Sequence, residues 1–431
     1  MSWPNKPLLR NGLRNRMVAP QDSNVVTRKG ENGMEAALKR EAAARKTVFP
    51  LFYFLIFFAI GALSPLLSVY LQEEARLSGT AIGWIMSLTP IVTMAAQPLW
   101  GMVTDYTRKP VGILMITLVL TALFGLMYSF AGSYEAFVAL TVLLSAAQSA
   151  VVPISDSLAL RHVHEQGGNY GSIRLWGSIG FAVAVFVVGW LSERIAFAVI
   201  FYAFSLAMLA AAALTARLPR YRTAVSTGRL TWRDIGGLLS LRPFRLLLTA
   251  AFLLFGPILA NNSYFGLLIH ELGGTLTGVG FAFLLAAGSE APFMKATDRL
   301  IRRFGMARLL ILAALISAVR WLSYAADPPL WFVYMTTIVQ GCSVGLSIPT
   351  ALQYARRLVP ERVQVTAVSL YSAVSNGLGA WFCTLLGGYL LERWHIGTVY
   401  LFFGACTLAG VFVLLWLAKL ERDDQSAGER G

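Results

Sequence analysis

Long uninterrupted apolar runs, separated by short polar or basic connections, set the pattern of this chain. LFYFLIFFAIGALSPLLSVYL (51–71) and FAVAVFVVGWL (181–191) are typical. Such runs show neither the two-residue alternation of a half-buried strand nor the narrow stripe of a surface helix. A bilayer core of about 30 Å needs about 20 apolar residues in a helix. About twelve stretches reach that length: 48–71, 80–100, 110–131, 136–160, 171–191, 196–216, 244–269, 277–296, 306–325, 329–353, 365–390 and 396–418. The fourth and eleventh are interrupted by Pro153 and by Gly377-Leu378-Gly379, breaks that packed neighbouring helices tolerate. The expected fold class is an all-α polytopic membrane protein with twelve transmembrane helices.

The pattern also repeats. Pro65 corresponds to Pro257, Ile82-Gly83 to Val279-Gly280, Gln97-Pro98 to Ala291-Pro292, Asp105 to Asp298 and Pro153 to Pro349, at offsets of 192 to 197 residues. Six spans per half make this a parallel repeat about an axis along the membrane normal, an arrangement that puts a substrate site near the midplane between two rocking bundles. The expected organisation is a basic tail (1–46), a first bundle (47–216), a linker (217–243), a second bundle (244–418) and a short tail (419–431). Residues 1–33 read as disordered, and EAALKREAAARK as an interfacial helix, with Met34 the expected true start. The lead is too long and too charged for a signal peptide.

Composition agrees with the pattern: 56% of residues are hydrophobic and only 13% charged, against about 25% charged in a soluble domain. The net charge of +14 invites a nucleic-acid reading, but its distribution argues against one. With a cytoplasmic amino terminus, the cytoplasmic connections and their flanks hold about eighteen Lys and Arg, the opposite loops about three. That is the positive-inside signature; it places both termini in the cytoplasm of a plasma-membrane protein, with attraction to anionic lipid a secondary effect. Cys342, Cys383 and Cys406 fall inside spans without metal-ligand spacing and read as packing residues, and the His162/His164 pair lacks acidic or thiol partners. Neither a metal nor a cofactor is expected. HExxH and GxxxxGK[ST] motifs are absent, which removes the zinc-hydrolase and ATP-driven classes those motifs would mark, and no enzyme is expected.

The loop between spans 2 and 3 reads GMVTDYTRKPVG, with Gly101, Asp105, Arg108 and Lys109; its counterpart, KATDRLIRRFG, carries Asp298, Arg299, Arg302 and Arg303. Over about 46–420 the chain resembles the major facilitator superfamily, whose best-known motif occupies this loop. The resemblance implies two six-helix bundles and a charge lock between helices that opens as the bundles rock. Tyr106 and Pro110 depart from the usual pattern and weaken the expected lock. YGSIRLWGSIGFA (170–182), GSEAPFM (288–294) and DRLIRRFG (298–305) resemble the branch containing phenylpropionate permeases, nucleoside–proton symporters and lactose permease.

Ionisable groups within a membrane are costly, about 2.5–3.5 kcal/mol at a helix centre, and each calls for a reason. Asp156 and Arg174 lie on consecutive spans; at 1.5 Å per residue an antiparallel hairpin puts them about 7 and 6 Å from the same face, where they are expected to pair. The alternative is a snorkelling arginine with a helix-end aspartate. Lactose permease has a carboxylate and an arginine on the same two helices, and the resemblance implies a substrate-binding role. Glu290, beside Gly288 and Ser289, is the candidate for proton coupling, since a carboxylate away from water can exchange protons near neutral pH; pairing to Lys295 is the alternative. The resemblance places a lactose-type proton relay at Gln340 and Ser343, neither of which titrates. Arg320 is a possible partner of a substrate carboxylate or of another helix. Asn261, Asn262, Gln340 and Asn376 are expected to bind substrate, with Gln148, Tyr264 and Tyr371 as possible additions; any one of them is as readily an interhelical hydrogen bond.

The function these readings support is secondary active transport of a small organic solute of the sugar, nucleoside or aromatic-acid class, by proton-coupled symport and alternating access. The expected partners are the solute, protons and the bilayer, with no nucleic acid and a monomeric chain. A drug or metabolite–proton antiporter is the rival, disfavoured because RLWGSIGFAVAVFVVGWL lacks the Gly-Pro pair of such exporters. A membrane ligand sensor is the alternative from another class, and neither tail is large enough for a signalling domain.

Overall fold

The computed structural model describes residues 47–167, 169–219 and 232–428, so the expected amino-terminal tail, its interfacial helix and the middle of the linker (220–231) lie outside the described residues. Eleven described helices are long and apolar enough to cross a membrane. They are α1 (Thr47–Glu73), α2 (Gly79–Thr107), α3 (Pro110–Tyr128), α4 (Tyr134–Gln166), α5 (Tyr170–Arg194) and α6 (Val199–Arg217) in the first half. In the second half they are α7 (Arg242–Glu271), α8 (Leu276–Phe304), α9 (Met306–Tyr324), α10 (Leu330–Arg357) and α12 (Ile396–Asp423). The remaining expected crossing, α11, is assembled from Gln364–Ser372, a π-helical turn over Ala373–Gly379, and Ala380–Arg393. Two glycines in that turn explain why the helix widens there: backbone without side chains yields first, and π-turns recur at functional sites.

The helix boundaries follow from local chemistry. Ser78, Ser133, Asn169 and Thr275 each accept a backbone N–H in the first turn of α2, α4, α5 and α8, satisfying donors a helix start leaves open. Pro110 begins α3, where its missing N–H costs nothing. α4 breaks after Gln148 and resumes at Val151, which leaves Pro153 in a first turn rather than a helix interior.

Because α1 begins and α12 ends on one side, that side is called the near face, and the loops 74–78, 195–198, 272–275 and 394–395 mark the far face. The two halves are fused at the far face. A methyl added to Gly83 of α2 would stand 2.7 Å from the Gly388 Cα of α11, and one on Gly79 would stand 2.8 Å from the Glu392 nitrogen. On the other side of the pseudo-axis, Gly189 of α5 lies against the Leu276 carbonyl and Gly280 of α8 against the backbone of Phe186. Each seam is bonded by one carboxylate: Glu392 accepts the Thr80 N–H at 2.7 Å, and Glu193 accepts the Thr277 N–H at 2.9 Å and its hydroxyl at 2.5 Å. His270 of α7 and Glu73 of α1 approach to 3.6 Å on the same side.

The apolar core has the same asymmetry. One cluster joins the first half to the far ends of α7–α12, through Tyr264, Phe283, Trp321, Tyr324, Tyr400 and Phe403. The near end of the second half has its own core around Phe244, Leu247, Tyr354 and Leu414.

Candidate functional site

A cavity of about 960 Å³ runs between the halves, walled by α1, α2, α4 and α6 on one side and α7 and α11 on the other. On α2, Met86, Thr89, Pro90, Thr93, Met94, Gln97 and Gly101 reach it, a helical stripe at spacings of three and four. Toward Gly101 this stripe is exposed, so the cavity leads to the near face. The Ser145 hydroxyl donates to Thr89 at 3.0 Å and the Trp100 indole N–H to the Ala146 carbonyl at 2.7 Å, tying the α2 wall to α4. Gln148, Asn262 and Asn376 complete the polar lining, with Ser64, Ser263, Ser369, Ser372 and Thr384. Asn376 sits in the π-turn of α11, and the Ser375 hydroxyl donates to its amide oxygen at 3.2 Å. Among the described residues no Asp, Glu, Lys, Arg or His lines the cavity, and Phe204 is the single aromatic wall residue.

The expected Asp156–Arg174 pair is not formed. Asp156 accepts the Tyr53 hydroxyl of α1 at 2.6 Å, while the Arg174 guanidinium lies 4.1 Å from the centre of the Phe57 ring. The hairpin argument counted residues along two helices and took no account of a third. α1 supplies a tyrosine and a phenylalanine one turn apart that take the two groups separately. Tyr170 packs edge-on against Tyr53, so three helices meet around Asp156. Both residues are half-buried, and neither lines the cavity.

In the second half Glu290 stands where α8 crosses α10. The Gly341 and Gly345 positions of α10 lie directly against the Ser289 and Glu290 backbone, a contact that any Cβ would obstruct. Glu290 is half-buried and forms no ion pair with Lys295 or Arg320, although it lies within electrostatic reach of Arg320. Arg320 is 3% exposed. Its guanidinium donates to the Gln340 amide oxygen and lies 4.1 Å from the Trp321 ring centre. Tyr400 donates to Asn261 at 2.9 Å, and Tyr264 donates to the Thr384 carbonyl. Gln340, Asn261 and Tyr264 are therefore engaged within the protein, and Tyr371 packs against Phe255; none of the four lines the cavity. Arg320 Nε, Trp321 Nε1 and Asn261 Nδ2 are buried donors without a hydrogen-bond partner. Leaving a buried donor unpaired costs about 1–3 kcal/mol.

The loop motifs lie on the near face. Asp105, Arg108 and Lys109 are exposed, with Arg108 in the left-handed region (φ 52°) closing α2. In the second copy Asp298 accepts the Gln353 amide at 2.9 Å, and Arg303 lies over Phe304; Arg299 and Arg302 are exposed. Among the described residues Asp105 has no ion-pair partner, so the expected charge lock is not made in this structure.

Sequence reasoning missed the far-face seams, although they are written in the repeat. Gly-x-x-x-Glu-Arg occurs at 189–194 and at 388–393, facing Thr277-Gly278-Val279-Gly280 and Thr80-Ala81-Ile82-Gly83. Aligning the two halves residue by residue would have exposed them. The threonines of α2 and the Tyr53 partner of Asp156 left no such signal, since threonine and tyrosine are ordinary in membrane helices.

The sequence profile of the MFS_1 like family matches residues 47–403. The chain belongs to that family. It is 80% identical over 396 residues to a maltose permease of Geobacillus stearothermophilus, covering 92% of this chain and 100% of the relative. It is 39% identical to the uncharacterized transporter YwbF of Bacillus subtilis (strain 168), covering 86% of this chain and 93% of the relative. Among solved structures, the nucleoside transporter NupG in a mutant form superposes with a TM-score of 0.80 at 17% identity, covering 86% of this chain and 99% of NupG. Family membership makes the protein a major facilitator transporter: a multi-pass membrane protein that moves a small solute, with the two-bundle fold expected from its repeat.

Proposed function

We propose that the protein is a proton-coupled symporter of a neutral sugar of the maltose class, working by alternating access from a plasma membrane with both termini cytoplasmic. The observation that carries the substrate reading is the cavity wall, which holds hydroxyls and amides but no charged side chain. A sugar offers only hydroxyls and ring oxygens, and such donors and acceptors match that wall. An aromatic acid would bring a carboxylate into a space with no cation to meet it. A nucleobase would find one phenylalanine and no stacking pair. The 80% identical relative named for maltose supports the same class.

In this reading Asn262, Asn376 and Gln148 contact sugar hydroxyls, with Thr89, Thr93 and Gln97 opposite. Asp156 and Arg174 join the site only as the halves rock, since Tyr53 and Phe57 hold them back in the near-open state; Asn261 and Gln340 position Tyr400 and Arg320. Glu290 carries the coupled proton. Its position on α8, against two glycines of α10 and within reach of buried Arg320, lets helix movement change its surroundings. The loop groups Gly101, Asp105, Arg108, Lys109, Asp298, Arg299, Arg302 and Arg303 then close the near face when the far face opens. The protein acts as a monomer.

The test is a thermal-shift panel on purified protein. A ligand at about 100 times its Kd stabilises the native state by about 2.7 kcal/mol, so maltose raises the melting midpoint while phenylpropionate and nucleosides do not. A shift with the aromatic acid and none with any sugar would overturn the substrate reading.

A further inference from the structure

A second hollow, of about 320 Å³, lies away from the cavity, between the start of α9 and the end of α12 at the near face. α9 contributes Arg308, Ile311, Leu312 and Leu315. α12 contributes Leu415, Ala418, Lys419 and Arg422. Both sets follow the same i, i+3, i+4, i+7 spacing, so each is one face of its helix. α9 leaves the near face and α12 returns to it, so the two faces lie antiparallel with their cations at one end. Arg308, Lys419 and Arg422 form a cationic mouth, and from there the walls turn wholly apolar over the next seven residues, about 10 Å of helix. Leu312 and Leu415 are 52% and 49% exposed, so this deep end opens sideways, to where bilayer chains lie. No Asp or Glu is among the lining residues, and Glu421 is turned to the Tyr354 hydroxyl at 2.8 Å.

We propose that this groove binds an anionic phospholipid of the near-face leaflet, its phosphate held by Arg308, Lys419 and Arg422 and one acyl chain lying along Ile311–Leu315 and Leu415. Loop charges that merely fix topology need no groove and no order of polarity. Here three cations from two helices converge on one mouth, and the polarity falls with depth as it does along a lipid. Arginine forks and a lysine ammonium suit a phosphate diester, and a basic hollow between helices at a membrane surface is a recognised headgroup site. A free phosphate would satisfy the mouth but leave the apolar walls without a partner.

The test uses the full chain in nanodiscs of equal phosphatidylglycerol and phosphatidylcholine, with retained lipid counted by native mass spectrometry after extraction. Each cation near the surface is worth about fivefold in anionic-lipid affinity, so Arg308→Gln/Lys419→Gln/Arg422→Gln lowers retention of phosphatidylglycerol by about a hundredfold. The single variants lower it by about fivefold each, and Arg308→Lys keeps most of it. The single variants also decide the matter if the triple variant fails to fold. Unchanged retention in the variants overturns the proposal, as does equal retention of phosphatidylcholine by the unaltered protein. An equal loss in Arg299→Gln/Arg302→Gln/Arg303→Gln, outside the groove, overturns it in favour of general surface charge. Competition by millimolar inorganic phosphate as effective as that by long-chain phosphatidylglycerol overturns the acyl contact.

Discussion

The far-face seam between α2 and α11 makes a sharp prediction, because it leaves no room for a single methyl. In Gly83→Ala the new Cβ would stand 2.7 Å from Gly388 Cα, 3.1 Å from its nitrogen and 3.2 Å from the Thr384 carbonyl. Carbon atoms rest about 3.5–4.0 Å apart, so the seam must widen by about 1 Å. Every obstructing atom is backbone or carbonyl, so no rotamer can relieve the clash. Overpacking of this kind costs about 1–3 kcal/mol. The cost falls only on the far-closed state, so the balance moves toward far-open by about 5–150-fold. Alanine belongs at the low end of that range and valine at the high end. The assay is the rate at which a membrane-impermeant thiol reagent, added at the far face, labels a cysteine introduced at Ser64, a cavity residue. Labelling is read in excess of the protein without that cysteine, because Cys342, Cys383 and Cys406 are free. Gly112→Ala is the control, since the nearest atom to its Cβ is 3.8 Å away. A Gly83→Val variant labelled at the rate of the unaltered protein would refute the reasoning, as would an equal acceleration by Gly112→Ala.

Other outcomes are expected from the same geometry. Glu193→Ala/Glu392→Ala removes both seam carboxylates and speeds far-side labelling of Ser64→Cys, with partial recovery in the glutamine pair; no change would make the seam bonds incidental. Glu290→Gln abolishes uptake driven by a pH gradient but spares counterflow exchange, and undiminished pH-driven accumulation would remove the coupling role. Asn262→Ala and Asn376→Ala each forfeit a ligand hydrogen bond of about 0.5–1.5 kcal/mol, so sugar affinity drops about two- to twelvefold while expression is kept. Substrate binding at the unaltered value in both would move the site elsewhere.

Much of this molecule was legible in the chain because its determinants are local. A span of apolar residues must become a helix in a bilayer, where its backbone has no other partners. The count of twelve, the break at Gly377-Leu378-Gly379 and the two-fold repeat are properties of segments and their spacing. The polar groups were harder to assign. Asn261 and Asn262 are neighbours in sequence, yet a helix turns about 100° between them, so one bonds Tyr400 and the other faces the cavity. Depth along a helix follows from counting residues, and that count is what led to the expectation of an Asp156–Arg174 pair. Their azimuth depends on α1, a hundred residues away, where Tyr53 and Phe57 take the two groups apart.

The sequence by itself determined the class of protein, the number and order of its helices, and the repeat that implies two bundles. The tertiary structure decided which polar groups share a cavity, which are consumed in internal bonds, and which end of the molecule is closed. The reason is that a helix carries its own hydrogen bonds and is specified within one turn of chain. A cavity wall, by contrast, is specified by six helices at once, and a glycine's value in a seam is known only from the backbone that lies against it.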